Sequence, residues 1–174
     1  MSDPIMRGFD PRWKDPEDYI LGVTREIWED RGIATLTRYY ADRIVVRSPA
    51  SVVVGNTGVI GATVATLAEF PDRQLLGEDV IWCPAEGGGF LSSHRLISTA
   101  THRYSGAYGP ASGARLRYRI LSDCHAVNNQ IDDEWLIRDQ GAIARQLGVT
   151  AQDYARRLIR DEGGPEVCVK PFTP

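Results

Sequence analysis

Cysteine is scarce in this chain of 174 residues, and the three present, Cys83, Cys124 and Cys168, form no close pair. An odd, scattered set argues against both a disulfide framework and a Cys-rich zinc site. It reads as reduced thiols in a cytoplasmic protein, with Cys83 and Cys124 acting as small hydrophobes on strands. Histidine is equally sparse. His94, His102 and His125 stand eight and then twenty-three residues apart, without the close pair that usually anchors a metal, so no metal site is expected. Long apolar runs are missing: none approaches the ~20 residues that span a bilayer, so no membrane partner is expected. MSDPIMRGFDPRW at the start carries no apolar leader, and an intracellular, soluble protein is expected. A net charge of −3 and a pI near 5.6 leave no basic surplus, so nucleic acid is not an expected partner. Gly87-Gly88-Gly89 lacks the spacing, following helix and lysine of a phosphate cradle and reads as a turn.

What is present is ordinary for a globule: 43% apolar and 25% charged residues in a length that suits one domain. Residues 1–14 read as a loose arm in which only Trp13 packs. Pro16, preceded by Asp15, opens a helix whose Tyr19, Ile20, Val23 and Ile27 form one stripe, and Gly32 stops it. A short helix over Ile33–Tyr40 follows, then a hairpin made of RIVVRS and Ser51–Val54, then a third helix over Gly58–Phe70. From Gln74 the pattern is β, with strands at about 74–84, 89–103, 114–128 and 130–140. Strands of this length imply a strongly bent sheet, with bulges near Gly89 or Ser105. Helices over 141–147 and 150–160 and an irregular tail close the chain, with Thr150 and Asp153 as a capping pair.

Helices and strands are segregated along the chain, which points to α+β. A curved, mostly antiparallel sheet packed on one face by about three helices leaves a cone-shaped pocket between the layers. The outer face of such a sheet needs covering, so a homodimer is expected. Period-2 alternation puts Asp123, His125 and Val127 on one face, and Trp135, Ile137 and Asp139 on one face of the next strand. If those faces coincide inside the pocket, an imidazole meets a carboxylate beside an apolar wall of Trp135 and Ile137, with Trp28 and Tyr40 as further lining. His102 is placed near the sheet rim as a substrate contact, and His94 in solvent.

Four segments carry a resemblance to a known family: YYADRIVVRSP, HRLISTATHRYSGAYGPASGARL, the strand bearing His125, and EWLIRDQGAIARQLG. The last is the most specific, since it fixes Trp135, Asp139, Gln146, Leu147 and Gly148 in one spacing. Over roughly Pro16–Gly148 the sequence resembles the SnoaL-like polyketide cyclases of the nuclear-transport-factor-2-like superfamily. The resemblance implies a cone domain over 15–148, flanked by the arm (1–14) and by a C-terminal helix and tail (149–174). It further implies an intramolecular aldol-type closure, or a related isomerisation or dehydration, with no metal and no organic cofactor. Asp139 then matches the family's acid/base and His125 its partner.

On this reading Asp139 takes an α-proton from a small, largely apolar carbonyl compound, because burial can raise a carboxyl pKa towards the working range. His125 orients the acid or meets the enolate oxygen, and Asp123 orients His125. Asp139 also stands where the following helix would want an N-cap. The competing reading is a non-catalytic ligand-binding or dimerising accessory module of the same fold.

Overall fold

Asp15 caps the first helix: its carboxylate accepts the Asp18 backbone N–H at 2.8 Å, and Pro16 occupies the first helical position, where its missing N–H costs nothing. The computed structural model describes residues 4–49 and 51–167. Cys168 and the end of the tail lie outside the described residues. Helix α1 (Pro16–Thr24) buries Pro16, Tyr19, Ile20 and Val23, then loosens into a π-helical turn over Arg25–Glu29 that buries Ile27. A glycine is required at position 22: a Cβ there would sit 2.1 Å from the Trp13 ring. The segment expected to be a loose arm is therefore packed, and Phe9 in it is buried against Phe90, ring centroids 5.5 Å apart.

A 3-10 turn over Ile33–Thr35 leads through α2 (Leu36–Tyr39) into β1 (Tyr40–Ser48), which hairpins with β2 (Ser51–Val54). Helix α3 (Asn56–Glu69) crosses to β3 (Gln74–Pro84), followed by β4 (Phe90–Thr101), β5 (Arg115–Val127) and β6 (Gln130–Arg138). Two helices close the described chain, α4 (Gln140–Gln146) and α5 (Ala151–Asp161). Thr150 caps α5 by accepting the Asp153 N–H at 3.1 Å. The six strands form one curved sheet in the order β2-β1-β6-β5-β4-β3, antiparallel except where β1 runs parallel to β6, and it does not close on itself. Five α-helices among the described residues, as many as the sequence pattern predicts, accompany this sheet in an α+β cone. None of them is long and apolar enough to cross a membrane.

The bends are set by single extra residues. Pairing of β3 with β4 steps from Gly77 to Asp79, leaving Glu78 unpaired, and pairing of β6 with β5 steps from Ile131 to Asp133, leaving Asp132 unpaired. These two sites, together with an irregularity between Tyr40 and Val45 where β1 pairs with β6, interrupt the ladders in place of the expected Gly89 or Ser105. On the inner face, one apolar cluster gathers Tyr19, Ile20, Val23, Ile27, Tyr39, Ile44 and Phe90, and a second gathers Phe70, Leu75, Leu96, Leu116, Ile120 and Ile143. A cavity lies between them.

Candidate functional site

The extra residue in β6 decides which side chains reach that cavity. Ile131 is buried on the inner face; uninterrupted alternation from it would carry Asp133, Trp135 and Ile137 inward as well. Because Asp132 inserts one residue, every later side chain changes face. Glu134, Leu136 and Arg138 point into the cavity, whereas Trp135 and Ile137 stand outside, each about half exposed at 53% and 51%. The neighbouring strand alternates without interruption up to His125. It sends Ile120, Ser122 and Cys124 inward and Leu121 and Asp123 outward.

The cavity holds about 170 Å³. Trp28, Leu36 and Tyr40 wall one side, Val59, Thr63 and Thr66 of α3 another, and His94, Leu96, Ser122, Glu134 and Arg138 of the sheet a third. Arg73 and Leu75 belong to the same lining. A smaller void of about 30 Å³ shares Thr24, Trp28, Tyr40, His94 and Ser122 with it and reaches towards Cys124.

Glu134 is 6% exposed. Ser122 Oγ donates to its Oε1 at 2.8 Å, and the Tyr40 hydroxyl is a second donor to the same carboxylate. Burial raises the Glu134 carboxyl above its ordinary range, and these hydrogen bonds and the charge of Arg138 only partly oppose it. Burial likewise drives the Tyr40 hydroxyl well up, with the Glu134 charge adding to the effect, so Tyr40 remains a proton donor. His94, two strands from Glu134, is 2% exposed, and its Nε2 has no hydrogen-bond partner. Loss of solvent pushes its imidazole down to about 4, against the raising effect of Asp79, so it is neutral at pH 7. The expectation that His94 faces solvent is thus corrected: it is opposite Ser122 on the inner face of β4.

Of the residues expected in a site, Tyr40 and Trp28 line the cavity. Asp139 does not. It is exposed and its Oδ1 accepts the Ala142 N–H at 2.8 Å, as N-cap of α4. His125, Asp123 and Trp135 share a face, but it is the outer one, where they line a trough together with Ile81, Cys83 and Leu91. There His125 Nδ1 is 2.5 Å from Oδ1 of the extra residue Asp132. Asp139 and His125 are not brought together.

His102 is buried away from the cavity, its Nδ1 2.9 Å from Ser112 Oγ and its Nε2 3.0 Å from Glu69 Oε1. Glu69 also accepts the N–H groups of Ala107 and Tyr108 at 2.9 Å. This set staples the 102–114 loop to the end of α3. Glu134, Ser122, Arg73 and Arg138 were not singled out from sequence, and His94 was assigned to solvent; only their same-face spacing with Leu96, Ile120 and Leu136 hinted at a shared wall. Among the described residues, no group of three His, Cys, Asp or Glu side chains could hold a metal ion.

A bent sheet wrapped over helices around one polar-ended cavity defines the α+β cone class. Residues 19–147 match the model of a family described as SnoaL-like polyketide cyclase, and the chain belongs to that family. IdmH of Streptomyces antibioticus, described as a candidate polyketide cyclase, superposes with a TM-score of 0.64 at 22% identity, over 76% of this chain and 97% of that one. A SnoaL-like polyketide cyclase of Agrobacterium tumefaciens gives 0.58 at 21% identity, over 75% and 96%. AclR of Streptomyces galilaeus, described as a candidate hydroxylase, gives 0.53 at 17%, over 74% and 97%. At these identities the likeness is one of fold, and the fold carries more than one described chemistry. No protein of curated function matches the sequence.

Proposed function

We propose that the chain binds a small, largely apolar carbonyl compound in the cone cavity and performs acid/base chemistry on it, with Glu134 as the base. The observation that carries this reading is the pairing of a buried carboxylate with a buried, neutral imidazole on one cavity wall. Groups whose surroundings push them in opposite directions are suited to complementary acid and base roles.

Glu134 takes the α-proton of the bound carbonyl compound onto its carboxylate. The electron pair of the broken C–H bond moves into the carbonyl, and the oxygen that gains charge is met by an N–H of His94 or the Tyr40 hydroxyl. The resulting enolate can close on a second carbonyl of the same molecule, or regain its proton at another carbon from Glu134. Apolar walls from Trp28, Leu36 and Leu96 exclude water and keep Glu134 basic. Asp139, exposed and engaged as a helix cap, has no part in this sequence of events.

The reading is tested by deuterium uptake from solvent into an enolisable aromatic ketone, 2-tetralone, with the Glu134→Gln variant as the comparison. We also propose that a second copy of the chain covers the outer sheet face. Ile81, Leu91, Leu121, Trp135 and Ile137 are 43% to 69% exposed on that one face. Arg47, Arg95, Asp123 and Asp133 lie among them, so the surface carries both charges needed to meet itself across a two-fold axis.

A further inference from the structure

Arg73 is 2% exposed, yet among the described residues no carboxylate lies within ion-pairing distance of it. Its Nε donates to Ser98 Oγ at 3.3 Å, its guanidinium stacks 4.6 Å from the centroid of the Trp28 ring, and its Nη1 has no partner. Arg138, on the same cavity wall as Glu134, also leaves a buried nitrogen, Nε, unpartnered. Two cations thus border one cavity with unused donors, and among the described residues neither is ion-paired to a carboxylate. A buried arginine without a counter-charge is costly, and the cost falls when an anion arrives with the matching fork of acceptors.

We propose that this end of the cavity is an anion subsite, and that the ligand is a carboxylate-bearing carbonyl compound whose acid head seats on Arg73 and Arg138. The proposal rests on the assigned cavity and narrows the substrate class. Glu134 and Arg138 are four residues apart on one strand, their Cα atoms about 13 Å apart at ~3.3 Å per residue, and the Arg138 charge still acts on the Glu134 carboxyl. In the proposed pose the anionic head on Arg73 and Arg138 and the reacting carbon beside Glu134 stand at opposite ends of the ligand, with an apolar body between them against Trp28 and Leu96. The two guanidinium charges offset the repulsion between the bound head and Glu134. The stacking on Trp28 fixes the plane of the Arg73 guanidinium, so little freedom is lost when the head binds.

Isothermal titration calorimetry at pH 7 with 2-naphthoate and with 2-naphthamide, which has the same shape and no charge, tests the subsite. The expected result is at least tenfold tighter binding of the carboxylate, a preference that disappears in Arg73→Gln and shrinks in Arg138→Gln. The second variant, at a half-buried position, keeps the test decisive should Arg73→Gln fail to fold. Equal affinity for the two probes, no binding of either at millimolar concentration, or a preference that survives in Arg73→Gln overturns the proposal and leaves Arg73 as a stacked structural arginine. The readout is equilibrium binding, so it is independent of whether Glu134 moves a proton; loss of the acid/base reading alone would leave the charge preference in place.

Discussion

Ser122 on β5 donates its hydroxyl hydrogen to Glu134 Oε1 on β6 at 2.8 Å, joining the two strands through the carboxylate at the centre of the cavity wall. The bond supports the charged form of a group that burial drives towards neutrality. A carboxyl whose folded pKa lies above its unfolded value binds more protons in the fold, so its ionisation lowers stability as pH rises from about 4.5 upward. Ser122→Ala is expected to cost about 2 kcal/mol at pH 8 and less at pH 5, where less of the carboxyl is ionised. Urea unfolding at the two pH values measures it, and Glu134→Gln should flatten the dependence.

His94 has the opposite sign. Its imidazole is held down to about 4 from an ordinary 6.5, so the fold favours the neutral ring. The stability this provides is complete above pH 6.5 and is lost as pH falls from 6.5 to about 4, up to about 3 kcal/mol at 1.36 kcal/mol per unit. Comparing wild type with His94→Gln by thermal unfolding between pH 4 and 7 should show the wild type losing more on acidification.

Asp139 serves α4 as its N-cap. Replacing it with Ala is expected to lower stability by about 1 kcal/mol, read from chemical unfolding. Proton exchange on the ketone should be unaffected.

Trp135→Glu places a charge in the centre of the outer apolar face. Light scattering after size-exclusion chromatography is expected to report a dimer for wild type and a monomer for the variant. Because Trp135 points away from the cavity, ketone exchange by the monomer should persist.

The layout of the fold is legible in the sequence because caps, turn glycines and long alternating runs are local signals. Pro16, Gly32, the hairpin at Ser48–Ser51 and the four long strands all stand close to their expected places. The face that β6 shows the cavity is not legible, because it turns on one unpaired residue, Asp132, whose insertion leaves no mark in the pattern of apolar residues. Trp135 and Ile137 look like core by type, yet the step at Asp132 turns them to the outer face. Glu134 and Arg138 look like surface and stand inside. Tyr40 was readable as lining because it directly follows the short helix whose stripe it extends, and Trp28 because it adjoins the buried Ile27 of the first helical stripe. Asp139 had two readings from the start, and its geometry is that of a cap.

Deuterium uptake at the α-carbons of 2-tetralone, followed by proton NMR, tests the central assignment most directly. Wild type should accelerate uptake over buffer, Glu134→Gln should reduce that acceleration by about 10²-fold or more, and Asp139→Asn should match wild type. Unchanged uptake in Glu134→Gln, or its loss in Asp139→Asn, would contradict the assignment of Glu134 as the base.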